Sequence, residues 1–288
     1  MTAVLDDLAR DLGAEGYLAD DGLLTAIHLA QELGLPLLLE GEPGVGKTEV
    51  AAVMSRVLER ELIQLQCYEG LDASQALYEW DYPKQLLQLR AAEVESRSVG
   101  SLYRDEFLLE RPLLRALRAE HGSVLLIDEV DRADSEFEAF LLEFLGSFQI
   151  SIPEIGTVSA QRPPLVVLTS NRTRELHAAL KRRCLYHWIP FPDVQREREI
   201  LAVQVPGLSE RSAANLVDAV NVIRGLAPLK RPGIAESIAW ARGAQTLAGE
   251  GSDWTEAMRR SLGLLVKHDE DLALVNAHVE EVFPPDAD

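Results

Sequence analysis

The octapeptide Gly41-Glu42-Pro43-Gly44-Val45-Gly46-Lys47-Thr48 constrains this chain more than any other stretch. It follows an apolar run, Pro36 to Leu39, that suits a strand buried on both faces, and it precedes residues with helical apolar spacing. Gly41, Gly44 and Gly46 permit tight backbone turns, so successive N–H groups can point inward around an anion. Lys47 adds positive charge for the outer phosphates, and the Thr48 hydroxyl can ligate a magnesium ion. In its strand-to-helix setting the pattern predicts a nucleoside triphosphate site rather than an ordinary turn.

The rest of the chain supplies a matching frame. Helical spacing covers residues 3 to 13, 20 to 33 and 48 to 61, with Gly34 as a stop before the first strand. Glu61–Cys67, Ser123–Val130, Pro164–Asn171 and Cys184–Phe191 read as four further strands separated by helical stretches. Such alternation predicts a doubly wound parallel sheet, whose ligands sit beyond the carboxyl ends of the strands. From residue 193 onward only helical patterns remain, so FPDV (residues 191–194) is a candidate hinge and the closing FPPDAD a frayed tail.

Asp128 and Glu129 end an apolar strand, an expensive place for charge unless something uses it. Asp128 can hold the magnesium ion through its water shell, and Glu129 can polarise the water that attacks a γ-phosphate. Asp131 and Asp134 read as cap or surface groups. Asn171 ends the next strand, where its amide can bond both the attacking water and a γ-phosphate oxygen. Arg172, Arg174, Lys181, Arg182 and Arg183 form the densest basic segment. Most are expected on a solvated face and one or two in function, either in a short nucleic-acid stripe or as an arginine given to a neighbour's nucleotide. Two segments exceed a minimal nucleotide fold: one carries Tyr78, Trp80 and Tyr82 in extended alternation, and the other, Phe148 to Ala160, reads as a hairpin around Pro153 to Gly156.

Composition removes several classes. A formal charge of −19 opposes a chain whose main task is coating nucleic acid. Cys67 and Cys184 are far apart and give neither a disulfide framework nor a metal knuckle, which fits reduced core thiols and a cytoplasmic setting. The start MTAVLDDLARDLGAEG lacks the marks of a signal peptide, and no apolar run approaches the ~18 residues of a membrane span.

The strings GEPGVGKTE, LLIDEVDRA, VVLTSNRT and ALKRRCLYHW, followed by a helical lid, resemble the MoxR family of AAA+ ATPases. LQCYEGLDASQALYEWDYPKQLL and FLLEFLGSFQISIPEIGT look like its subgroup associated with maturation of aerobic carbon monoxide dehydrogenase and related molybdenum hydroxylases. The resemblance implies an α/β P-loop NTPase domain over residues 1–192, with an insert at about 68–105 and a hairpin at about 148–160, then a helical lid over 193–288. It implies ATP and Mg2+ as cofactors, a homo-oligomer of the hexameric ring type, a von Willebrand factor A domain partner and a client metalloenzyme. On its motifs, Gly41 to Glu49 hold the nucleotide, with Lys47 also catalytic, Thr48 and Asp128 serve the metal, Glu129 hydrolysis and Asn171 the sensor 1 role. Arg182 or Arg183 falls at the arginine finger, with Arg183 in the better register. The sensor 2 arginine has no counterpart: Ala235 stands there, with Lys230 or Arg231 as substitutes. A nucleic-acid-dependent motor and a non-hydrolysing scaffold are the competing readings.

Overall fold

The computed structural model describes residues 3–94, 102–153 and 155–284. The described strands are β1 (Leu37–Gly41), β2 (Glu61–Gln66), β3 (Tyr78–Trp80), β4 (Leu108–Glu110), β5 (Ser123–Asp128), β6 (Gln149–Ile152), β7 (Gly156–Ser159), β8 (Leu165–Ser170) and β9 (Leu185–Ile189). Five of them form one sheet in the order β2-β5-β8-β1-β9. The pairs β2–β5, β5–β8 and β1–β8 run parallel. β1, β5 and β8 are buried at every position, which is why their sequences read as unbroken apolar runs. Leu38 and Leu39 are wholly buried, each contributing about 1.5–3 kcal/mol relative to exposure.

Backbone packing groups the chain into two compact units. The first comprises Met1–Glu15, Ala19–Glu40 and Thr48–Trp188; the second comprises Gly16–Leu18, Gly41–Lys47 and Ile189–Asp288. In the first, helices α1 (Ala3–Ala14) and α2 (Asp21–Leu33) precede β1, and α3 (Lys47–Val57) follows the glycine-rich loop. Asp20 caps α2, and Gly34 closes it at φ 62° with its N–H on the Ala30 and Gln31 carbonyls. Helix α3 stops at Val57, short of the expected residue 61. Glu59 there takes φ 51°, and the Arg60 N–H returns to the Ser55 carbonyl at 2.9 Å. A left-handed closure normally announced by glycine is made by glutamate, so no sequence signal marks it.

The segment expected as an insert, about 68–105, carries α4 (Ala73–Leu77), α5 (Tyr82–Val94) and β3, which pairs antiparallel with β4 just beyond it, and its residues 95–101 lie outside the described residues. Tyr78 and Trp80 do lie on a strand and pack against the main core, but Tyr82 opens a helix and is 62% exposed, so the aromatic row is broken. Helix α6 (Pro112–Arg118) leads into β5, and α7 (Ser135–Ser147), capped by Asp134, leads into the β6–β7 hairpin. Ile150 and Ile152 turn one face of that hairpin into the core. Helix α8 (Ala178–Arg183) precedes β9.

The second unit is helical beyond β9: α9 (Val194–Gln204), α10 (Glu210–Gly225), α11 (Ile234–Gly249), α12 (Trp254–Arg260), α13 (Asp269–Ala277) and α14 (Val279–Val282). Its core gathers around Trp240, whose indole N–H donates to the Met258 carbonyl at 2.9 Å. Phe283, expected in a frayed tail, is 9% exposed and edge-on to Trp240. The rest of that expected tail, residues 285–288, lies outside the described residues. No described helix is long and apolar enough to cross a membrane.

Candidate nucleotide site

Within the helical unit the loop from Gly41 to Lys47 needs its glycines for separate reasons. Gly44 and Gly46 sit at φ 80° and 93°, conformations costly for any other residue. At Gly41 the space is the constraint, since a Cβ would lie 2.5 Å from the Ile189 carbonyl oxygen. Lys47 is 6% exposed, and its Nζ donates to the Gly41 and Glu42 carbonyls, each at 2.8 Å. The loop thus holds its ammonium by its own backbone. Val45 is buried and Glu42 exposed, while Pro43 places its carbonyl against Gly233. The Gly44 carbonyl accepts from Ile234 N at 2.9 Å and Ala235 N at 3.3 Å, at the first turn of α11.

Thr48, the next residue, lies in the α/β unit, where its hydroxyl is 3.1 and 3.3 Å from the two Asp128 carboxylate oxygens. Asp128 also accepts from the Thr169 hydroxyl, and Thr169 in turn accepts from Glu129 N at 2.9 Å. A hydroxyl beside a carboxylate is a hard oxygen set of the kind magnesium takes. Glu49 points to neither; it pairs with Arg56 at 3.1 Å on the exposed side of α3.

Glu129 follows β5 in the left-handed region, φ 52°, a conformation costing about 1–3 kcal/mol that recurs at functional sites. Its carboxylate accepts from Gln66 Nε2 at 3.0 Å, Arg132 Nη1 at 2.9 Å and Asn171 Nδ2 at 3.3 Å. The structure therefore brings Glu129 and Asn171 together from the ends of β5 and β8. Gln66, at the end of β2, was not singled out in the sequence; its place on the carboxyl edge of a predicted strand was the available signal. Asp131 is neither cap nor surface group. It is 1% exposed and accepts from Asn171 N at 3.3 Å, and from Thr173 N and Thr173 Oγ1 at 2.7 Å each, fixing the chain beyond β8.

Arg172, Arg182 and Arg183 of the basic segment are exposed, as expected, while most of the segment also makes specific contacts. Arg172 and Lys181 lie 3.7 and 3.4 Å from Glu40, a buried carboxylate that also accepts from the Tyr186 hydroxyl. Arg174 bonds the Ala133 carbonyl and Glu138. Arg183 donates to the Leu142 carbonyl at 2.9 Å, whereas Arg182 is exposed and makes no ion pair with the described residues. In the helical unit Lys230 pairs with Glu236 at 3.1 Å, and Arg231 lies 5.0 Å over the Phe191 ring.

A family model for the AAA domain, dynein-related subfamily, matches residues 36–184, just over half of the chain. The chain belongs to this AAA family. Its span, from β1 to Cys184, takes in the phosphate loop, the Asp128-Glu129 pair and Asn171. The denitrification regulatory protein NirQ of Pseudomonas aeruginosa is 27% identical over 80% of this chain and 82% of its own length. Protein NorQ of Paracoccus denitrificans is 26% identical over 73% of this chain and 72% of its own. Among solved structures, a mutant RuvB of Thermotoga maritima aligns at TM-score 0.51 and 20% identity, covering 87% of this chain and 70% of that one. A second RuvB mutant gives 0.51 and 19% over 92% and 84%. These likenesses establish the AAA fold with a helical C-terminal region. Within it, the Asn171 amide lies beside the Glu129 carboxylate, while the Ala235 N–H donates to the Gly44 carbonyl.

Proposed function

We propose that this AAA protein is a MoxR-type ATPase that spends the energy of ATP hydrolysis on remodelling a client protein. The observation that carries the reading is the pairing of Glu129 with Asn171 at the ends of neighbouring strands, beside an Asp128 that holds Thr48. The backbone donors of Gly41 to Glu49 and the Lys47 ammonium bind the phosphates. Thr48 and Asp128 hold Mg2+, which when bound neutralises charge on the phosphate oxygens. Glu129 orients and polarises the attacking water, and Asn171 fixes the carboxylate relative to it. Arg183, or its neighbour Arg182, serves the nucleotide of an adjoining subunit in a ring, usually a hexamer in this family. The division into a nucleotide-binding domain, 1–192, and a lid, 193–288, belongs to the same reading.

The relatives support service to another protein, since NirQ is named as regulatory for denitrification. The insert and hairpin resemblance points the client reading toward a molybdenum hydroxylase such as carbon monoxide dehydrogenase, with a von Willebrand factor A domain protein as co-worker and the cytoplasm as the setting. The test is ATP hydrolysis as a function of protein concentration for wild type, Lys47→Ala, Glu129→Gln and Arg183→Ala, with mass measured in parallel. Glu129→Gln should bind ATP yet turn it over at least ~100-fold more slowly, and mixing it with Arg183→Ala should restore activity. Activity independent of concentration, with Arg183→Ala fully active, would sink the shared site. Unchanged ATP binding by Lys47→Ala would sink the nucleotide reading itself.

A further inference from the structure

The helical unit contains a contact that the usual parts of an ATPase site do not explain. Helix α11 begins at Ile234, and the first N–H groups of any helix must find their partners outside it. Two of them, on Ile234 and Ala235, donate to the carbonyl of Gly44 in the middle of the phosphate loop. Gly233, the residue before the helix, packs so closely that a Cβ there would lie 2.9 Å from both the Gly44 Cα and the Pro43 carbonyl oxygen. Glu236 closes the arrangement, accepting from Gly233 N at 3.2 Å and from Lys230 at 3.1 Å.

A peptide plane links this contact to phosphate binding. All peptide bonds described are trans, so the carbonyl of Gly44 and the N–H of Val45 point in opposite directions. Fixing that carbonyl on the first turn of α11 turns the Val45 N–H to the other side of the loop. A glycine loop otherwise has the freedom to rotate such a plane, at φ 80° on Gly44.

Resting on the ATPase reading above, we propose that Gly233 is a positioning residue for nucleotide binding. By letting α11 reach the Gly44 carbonyl, it sets the orientation of a phosphate-binding N–H, and the lid helix takes by backbone the part that a sensor 2 side chain plays elsewhere. Lid position and triphosphate affinity are then one coupled quantity, because anything that withdraws α11 frees the Gly44–Val45 plane.

Gly233→Ala is a clean probe. Gly233 has φ −90°, which alanine adopts without strain, so the substitution acts only through the close approach. The control is Gly243→Ala in the same helix, whose Cβ would meet the Leu264 side chain at 2.2 Å inside the lid and leave the loop untouched. Both variants would be compared with wild type for binding of a fluorescent ATP analogue, steady-state hydrolysis and thermal melting. Losing one or two hydrogen bonds predicts a roughly tenfold weaker Kd and higher KM for Gly233→Ala, with kcat within about threefold. Gly243→Ala should lower Tm with KM unchanged. Equal KM shifts in both variants, or wild-type KM in Gly233→Ala, would overturn the proposal. Failure of the wild type to bind the analogue more tightly than Lys47→Ala would instead refute the underlying ATPase reading.

Discussion

Buried carboxylates occur in both units, and their partners differ. In the helical unit Glu197 is completely buried, and Arg224 reaches it with two nitrogens, at 2.6 and 3.0 Å; the Ser237 hydroxyl adds a third donor at 2.8 Å. Arg224 also donates to the Pro232 carbonyl at 2.9 Å and stacks 5.3 Å over Phe191. In the α/β unit Asp128 is 8% exposed and accepts from the Thr48 and Thr169 hydroxyls. The fork of Arg224 matches both oxygens of Glu197 and completes a neutral pair. Asp128 is met within its own unit by two hydroxyls rather than by a guanidinium fork, which leaves it suited to a cation from outside. On the proposed reading the same residue class is scaffold in one place and chemistry in the other, and the partner, rather than the burial, decides which.

The contrast can be broken from either side. The largest effect should come from Arg224→Ala, which leaves Glu197 buried and uncompensated and should cost about 3–5 kcal/mol in urea unfolding. The double change of Arg224 and Glu197 to leucine should recover much of that loss; no recovery would show that the contacts to Pro232 and Phe191, not charge, dominate. A smaller stability change belongs to Asp128→Asn, expected within about 1 kcal/mol because the two hydroxyl contacts survive. Nucleotide affinity in Mg2+ should nevertheless fall about 10–100-fold while affinity in EDTA stays level, as seen by titration calorimetry. An equal loss with and without Mg2+ would place Asp128 with Glu197 as scaffold.

The smallest effect sharpens a third arrangement, in which a buried group stays neutral. Burial pushes the Cys67 thiol up to about 12, reinforced by Asp128, Asp131 and Glu129, and burial alone does the same for Cys184. A thiol whose folded pKa is raised keeps its full contribution below the unfolded value, near 8.5, and loses it as pH climbs toward 12. Melting temperature between pH 8 and 10.5 should therefore fall less steeply for Cys67→Ala than for wild type. Native protein at pH 8 should also alkylate slowly at both positions.

These partners explain how far the sequence could be read. β1, β5 and β8 are buried on both faces, so their pattern survives in one dimension, and the carboxyl edge follows from it. The phosphate loop was legible because its glycines answer backbone demands that no other residue meets. Asp131 was misjudged because its donors, Asn171 and Thr173, lie about 40 positions away and nothing local marks them. Glu40 was passed over for the same reason, its partners being Arg172, Lys181 and Tyr186. The early end of α3 was hidden by a glutamate in a glycine's conformation. The left-handed turn at Glu129 likewise has no sequence signature, although the residue itself was evident.

The sheet order has a consequence for how the protein is made. β1 comes first among the described strands, yet its neighbours are β8 and β9, and Leu37 is in register with Val167. At about 5–20 residues per second, the ribosome takes on the order of ten seconds to travel that distance. Until then β2 and β5 can pair with each other, while the strand carrying the phosphate loop lacks both of its described neighbours, β8 and β9. Closing so long a loop is also slow in refolding. If the nucleotide reading holds, fragments ending before β8 should thus fail to bind nucleotide even though they contain the entire glycine-rich motif.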